Sequence, residues 1–278
     1  MPPTQLDTRI PAVVINLDRH KDRLDWFMEN AARVGLAVNR LRAFDAAAEE
    51  NAQALLDFRA GDTALSNGEI ACFLSHRMAW RILLESDAPF IAVFEDDAHL
   101  SEDLSLLLTT ALVPPNVHLL RIEEPCGKAS IAQKPIHRHC GRGIHHILTR
   151  AYGTAGYVIS RACAADLLKR TETGTQPVDV FLFDERSEVF CTYNIYQIVP
   201  AACVQDMNLN RGKPETVTFA SEIEKGRNEV KDARKARDKT GKKPVPLKNL
   251  RRFFRCVLYG ANPLRYRDYI PVDLGSPK

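Results

Sequence analysis

The 278-residue sequence contains no apolar run approaching the roughly 18 to 20 residues needed to cross a bilayer. Its opening, MPPTQLDTRIPAVVINLDRHK, lacks the basic stretch and long apolar core of a secretory signal, so the chain is expected to stay in the cytoplasm. Cysteine is sparse and odd in number: seven residues (72, 126, 140, 163, 191, 203, 256) are scattered through predicted strands and helices, which suits reduced thiols and excludes a disulfide framework. There is no internal repeat. With 45% hydrophobic and 26% charged residues, the composition is that of an ordinary globular protein.

A net charge of only +3 conceals an asymmetry. Residues 222–278 hold sixteen Lys/Arg against seven Asp/Glu, a surplus of nine, which leaves residues 1–221 at −6. This divides the chain into a main domain, 1–221, and a basic helical extension, 222–278. An acidic body without aromatics interleaved in the Lys-rich arm argues against nucleic acid as a partner.

Apolar spacing gives an α/β order. A first strand, Ala12 to Leu17, precedes a helix from about Lys21 to Val34, with Leu24, Phe27, Met28, Ala31 and Val34 at helical spacing and Gly35 as its stop. A capping box, Ser66 to Glu69, opens a second helix that runs to about Glu85. Further strands are expected at Phe90 to Phe94, Val117 to Ile122, His145 to Arg150, Gly156 to Ser160 and in YNIYQIVP, with helices near Glu102 to Thr110 and Arg161 to Arg170.

The stretch FIAVFEDDAHL drives an almost wholly apolar strand into Glu95, Asp96 and Asp97. Such a strand fits the interior of a mostly parallel sheet, whose ligands bind outside the carboxyl ends of the strands. Three carboxylates raise one another's pKa unless a cation shares their site, and Mg2+ or Mn2+ is the fitting one; a solvated turn is the alternative. In an extended chain Glu95 and Asp97 point the same way and Asp96 points elsewhere.

Five ordered blocks, VVINLDRHKDR, LSNGEIACFLSHRMAW, FIAVFEDDAHL, YGTAGYVISRACAADLL and PVDVFLFD, resemble glycosyltransferase family 25, the lipooligosaccharide core galactosyltransferases and their collagen-modifying relatives. The resemblance implies a GT-A type, Rossmann-like nucleotide-sugar-binding fold with a mostly parallel central sheet. It also implies a UDP-sugar donor, Mn2+ or Mg2+, and inverting transfer to a saccharide hydroxyl. EDD then resembles the D-x-D motif, with Asp97 as the direct metal ligand, Glu95 beside it, and Asp96 on the donor side. Asn16, Leu17, Asp18 and Arg19 would bind uridine and ribose. Arg23 would reach a phosphate or else form a helix salt bridge, and His76 would support the donor site or sit in the core. In GTAGY, Thr154, Gly156 and Tyr157 would approach a sugar or form a tight turn, and Gln205 and Asp206 would close the diphosphate side. The general base is Asp179, or Asp184 if Asp179 is a helix cap.

Cys126, His137, His139 and Cys140 suggest zinc by residue type but not by spacing, and a positively charged acceptor-facing loop is the better reading. In the tail, Leu247, Leu250, Phe254, Val257 and Leu258 form one helical face flanked by Arg251, Arg252 and Arg255. This face suits an anionic membrane surface, or docking on the chain's own domain or on a second subunit of a homo-oligomer. The expected protein is a cytoplasmic enzyme, free or peripheral on the inner face of the membrane. It would move a hexose, galactose before glucose, from a UDP-hexose to a lipid-linked oligosaccharide acceptor. A catalytically silent glycan-binding relative is the rival.

Overall fold

The structure, a computed structural model, describes residues 8–61, 65–210, 218–219 and 270–275. In chain order its elements are β1 (Ala12–Asn16), α1 (Lys21–Arg33), β2 (Asn39–Arg42), α2 (Ala52–Phe58), α3 (Asn67–Glu85), β3 (Phe90–Glu95), β4 (Ala98–Leu100) and α4 (Leu104–Leu107). They continue with β5 (Leu119–Arg121), β6 (His137–His139), β7 (Arg142–His146), β8 (Gly156–Ser160), α5 (Arg161–Arg170), α6 (Val178–Phe183), α7 (Glu188–Tyr193), β9 (Tyr196–Val199), β10 (Cys203–Gln205) and α8 (Asp206–Leu209).

Eight strands form one sheet in the order β2-β1-β3-β8-β5-β9-β7-β6, and β10 pairs with β4 beside it. The α/β class holds, and the sheet is mixed. β1 runs parallel to both β2 and β3, and β5 to β9, whereas β8 lies antiparallel between β3 and β5. The parallel portion is where β1 and β3 end side by side, so their carboxyl ends share one edge. β2, β4, β6 and β10 were not expected; each has only three or four residues, too few for alternation to show.

Side-chain alternation along the strands builds two cores. Val13, Ile15, Ile91 and Val93 face one side, where they join Trp80, Leu83, Leu167 and Phe183 from the α3, α5 and α6 layer. Ala12, Val14, Ala92 and Phe94 face the other, against Phe27 and Ala31 of α1 and Leu104 of α4. The first helix packs as the periodicity predicts and stops where Gly35 takes φ +67°, a left-handed conformation that glycine adopts without strain.

The capping box at Ser66 is present in full: the Ser66 hydroxyl accepts from the Glu69 N–H, and the Glu69 carboxylate accepts from the Ser66 N–H at 3.0 Å. The helix expected at 102–110 shortens to α4 followed by a 3-10 turn, Thr110–Leu112. Residues 270–275 pack on the main body. Ile270 is buried in the first core, and Pro271 and Asp273 exchange backbone hydrogen bonds with Ala201 at 2.7 and 3.1 Å. The amphipathic segment 247–258 lies outside the described residues, as does most of the expected extension.

Phe27→Ala is expected to cost about 3–5 kcal/mol through the cavity it opens under the sheet. Ser66→Ala should cost about 1 kcal/mol through loss of the cap. Urea midpoints with unchanged m-values would check both.

Candidate active site

At the shared carboxyl edge of β1 and β3 lies a cavity of about 350 Å³. Asn16, Leu17, Arg19 and Arg23 line it from the β1 end and the start of α1, and Glu95, Asp96 and Asp97 from the end of β3. Gln205, Phe44, Cys72 and Ser75 complete the lining.

Arg23 organises the carboxylates. Its guanidinium pairs with Asp96 and, at 3.1 Å, with Asp97. Burial weakens its hold on its proton, but Asp97 and Asp96 outweigh that and raise its pKa. Asp96 also accepts from Asn16 Nδ2 at 2.6 Å, while Arg40 Nε donates to Asn16 Oδ1 at 3.1 Å. Asp96 therefore does not point away as strand alternation predicts: β3 ends at Glu95, and the following turn brings Asp96 and Asp97 onto the same wall. Gln205 Nε2 lies 3.3 Å from Glu95 Oε2 and 3.4 Å from Asp97 Oδ2, which brackets the two candidate metal ligands.

Negative charge is under-compensated here. Burial raises the Asp97 pKa to about 7, with Glu95 and Asp96 adding to the rise. Asp96 is raised as well, chiefly by burial. Burial also pushes Glu95 upward, but His76, Thr154 and Arg23 prevail and leave it lowered. Asp97 Oδ1 is buried without a hydrogen-bond partner. A divalent ion with oxygen preference fits that orphaned atom and the excess of carboxylates.

Behind this wall stands a second polar layer. Thr154 Oγ1 donates to Glu95 Oε1 at 2.6 Å, and His76 Nε2 lies 3.4 Å from the same oxygen. His76 Nδ1 meets the Tyr157 hydroxyl at 3.0 Å, and that hydroxyl also accepts from Trp80 Nε1 at 2.9 Å. His76 is thus both a core residue and a support for Glu95.

Several expected placements need correction. Tyr157 is 0% exposed and its hydroxyl is engaged by His76 and Trp80, so it does not face a sugar. Gly156 is buried against Cys203, where a Cβ would collide with the sulfur; both positions belong to β8, which is covered on both faces. Thr154 is likewise buried and acts on Glu95. Asp206, 1% exposed, does not line the cavity: its carboxylate takes His99 Nε2 at 2.8 Å, Asn210, and the N–H groups of Thr218 and Phe219. Asp18 sits outside the cavity, paired with Arg40 and Arg42 at 2.5 and 2.6 Å.

Asp184 is 2% exposed and held by Arg186 and the Tyr152 hydroxyl; burial raises its pKa, but the Arg186 bonds more than offset this and leave it lowered. It is a poor proton acceptor for a substrate. Asp179, second in α6, is half-buried and does not line the cavity either; its Oδ1 accepts from the Val180 N–H at 2.9 Å. Arg40, Phe44, Cys72 and Ser75 were missed. The signal for Cys72 was its place four residues before His76; the others come from a short edge strand, the loop after it and mid-helix, where no pattern marks them.

The sequence profile described as glycosyltransferase family 25 (LPS biosynthesis protein) matches residues 9–182. The chain belongs to glycosyltransferase family 25. A glycosyltransferase of Haemophilus influenzae is 34% identical over 176 residues, which cover 62% of this chain and 59% of that protein. The lipooligosaccharide biosynthesis protein lic2B of the same species is 30% identical over 183 residues, covering 62% of this chain and 66% of that one. The matched part thus spans less than two thirds of either relative. The solved galactosyltransferase LgtC, in complex with donor and acceptor sugar analogs, superposes with a TM-score of 0.38 at 10% identity, covering 87% of this chain and all of that one; so loose a likeness supports no inference. The family's matched region contains β1, α1, α3 and β3 and most of the cavity lining; Gln205 lies beyond it.

A raised carboxyl pKa stabilises the fold below the unfolded value and loses that stabilisation as pH rises through the folded value. Stability to urea should therefore fall between about pH 4 and about pH 7 through Asp97, and Asp97→Asn should flatten that fall.

Proposed function

We propose that the protein is an inverting glycosyltransferase that moves a hexose from a UDP-hexose onto a sugar of a lipopolysaccharide or lipooligosaccharide core. The observation that carries this reading is the buried, unpartnered Asp97 Oδ1 among three carboxylates and one guanidinium, on the wall of a cavity at the strand ends. Family membership and the biosynthetic role in the relative's name support the substrate class. Galactose is the preferred sugar because the sequence resembles galactosyltransferases; glucose differs at one hydroxyl that no residue here visibly reads.

Asp97 and Glu95 would hold Mn2+ or Mg2+, which supplies a Lewis acid for the diphosphate oxygens. Asn16, Leu17, Arg19 and Phe44, all in the cavity lining, would receive the nucleoside. Arg23 presents its fork of donors to the diphosphate side. The Asp179 carboxylate takes the proton from the acceptor hydroxyl as that oxygen bonds to the anomeric carbon. The bond from that carbon to UDP breaks on the opposite face, and UDP leaves with the bonding pair. Asp179, half-buried near the start of α6, is preferred over Asp184, which is 2% exposed.

Among the described residues no helix is long and apolar enough to cross a membrane. A cytoplasmic enzyme fits this reading, with the basic tail touching the inner face of the membrane, where a lipid-linked acceptor would lie.

Titration calorimetry with UDP-galactose, UDP-glucose and CMP- or GDP-sugars, in Mn2+ and then in chelator, tests the class. Metal-dependent binding of a UDP-hexose is expected, and binding of none of these donors would sink the reading. Asp179→Asn should lower kcat by about 100- to 10,000-fold with donor affinity retained. A kcat near wild type would remove Asp179 from the role of base.

A further inference from the structure

Cys72 and His76 stand four residues apart on α3, the spacing that puts two side chains on one helix face. Glu95 approaches that face from the end of β3. One ligand atom from each of Cys72, His76 and Glu95 falls within 4.8 Å of the other two, and among the described residues no other such group of three occurs.

His76 gives the cluster its direction. The residue is fully buried, and its Nε2 has no hydrogen-bond partner although Glu95 Oε1 lies 3.4 Å away. A buried polar atom left in this state costs stability unless something else satisfies it. Two nitrogen or oxygen ligands about 2.1 Å from a tetrahedral ion stand about 3.4 Å apart, so the imidazole–carboxylate separation matches an edge of such a site. The other ring nitrogen, Nδ1, is 3.0 Å from the Tyr157 hydroxyl, the outer partner that a metal-bound histidine requires to fix its tautomer. Trp80 holds that hydroxyl in turn.

The ligand set decides the metal. A thiolate, an imidazole and a carboxylate suit Zn2+, whereas Mg2+ and Mn2+ favour oxygen ligands alone. Cys72 lines the cavity, so a fourth coordination position would open towards it.

We propose that Cys72, His76 and Glu95 form a binding site for a thiophilic divalent ion, zinc foremost, which competes with the hard-ion site of Glu95 and Asp97 for the Glu95 carboxylate. Zinc bound here withdraws Glu95 from the donor side and places a coordinated ion on the cavity wall. It is therefore an inhibitor of donor binding. The inhibitory consequence rests on the proposed transferase activity, while the site itself does not.

The test uses the full-length, reduced, metal-free protein and Co2+ as a spectroscopic probe, with no nucleotide sugar present. Wild type should bind one Co2+ with a sulfur-to-cobalt charge-transfer band and the intense visible bands of tetrahedral cobalt. Zn2+ should bleach both, and Mg2+ should not. Cys72→Ser should lose the charge-transfer band and bind Co2+ at least tenfold more weakly. A Cys126→Ser/Cys140→Ser double variant should keep the band, since these exposed thiols, Cys140 next to His139 in the chain, are the rival source of a thiolate.

X-ray absorption on the zinc-loaded wild type should show one sulfur in the inner shell, a readout that does not depend on any variant folding. In transfer assays, each measured against its own zinc-free rate, the inhibitory concentration of Zn2+ should rise at least tenfold in Cys72→Ser. Absence of the charge-transfer band in wild type, its survival in Cys72→Ser, or a sulfur-free inner shell would each overturn the site. A protein that binds cobalt in this way but no UDP-sugar would keep the site while losing the transferase reading.

Discussion

The cavity at the strand ends depends on one guanidinium among three carboxylates. Arg23 reaches from the first turns of α1 to Asp96 and Asp97, and so fixes the helix against the end of β3 while partly neutralising the turn. Removing a partner from such a buried set leaves charge without compensation, which costs far more than an exposed pair contributes. The compensation is also incomplete, since among the described residues one guanidinium faces Glu95, Asp96 and Asp97. A site built in this way is prepared for a further cation.

Behind Arg23, two buried polar assemblies set the positions of the carboxylates. His76, Tyr157 and Trp80 form a chain that approaches Glu95 from α3 and β8. From the other side, Arg121 donates to the backbone oxygens of Gly153 and Tyr152, at 2.6 and 3.2 Å, while Glu123 accepts from the Ala155 N–H at 2.9 Å. The loop they hold delivers Thr154 to Glu95. Gly153 is needed there: its φ is +104°, and a Cβ would run into the Glu123 carboxylate. Burial raises the Glu123 pKa to about 8 despite Arg121 beside it. None of these five side chains lines the cavity, so both assemblies act on its wall through the residues they hold.

Much of this was legible before any coordinates. β1, α1, α3 and α5 appear where hydrophobic period and capping chemistry put them, because each is long enough for a period to repeat or carries its own stop and start signals. The short strands were not, because β4 and β10 exist only by pairing with each other and a three-residue strand has no pattern of its own. Site residues divide the same way. Asn16, Leu17, Arg19, Arg23, Glu95, Asp96, Asp97 and Gln205 all meet at one cavity, as expected from strand ends. Tyr157 and Asp206 do not, since a hydroxyl or carboxylate in a motif looks the same whether it faces solvent or is spent on internal partners.

By itself, then, the sequence determined the longer strands and helices, that an acidic turn follows a buried strand, and which family the chain belongs to, because these are written in local period and in ordered motifs. Only the tertiary structure decided which polar groups remain available. The sheet order sets β1 beside β3, which brings Arg23 to Asp96 and Asp97; α3 crossing behind them points His76 and Cys72 at Glu95; and the fold buries Asp184 with Arg186 while leaving Asp179 half open. Burial and pairing are properties of neighbours distant in the chain, and no local pattern records them.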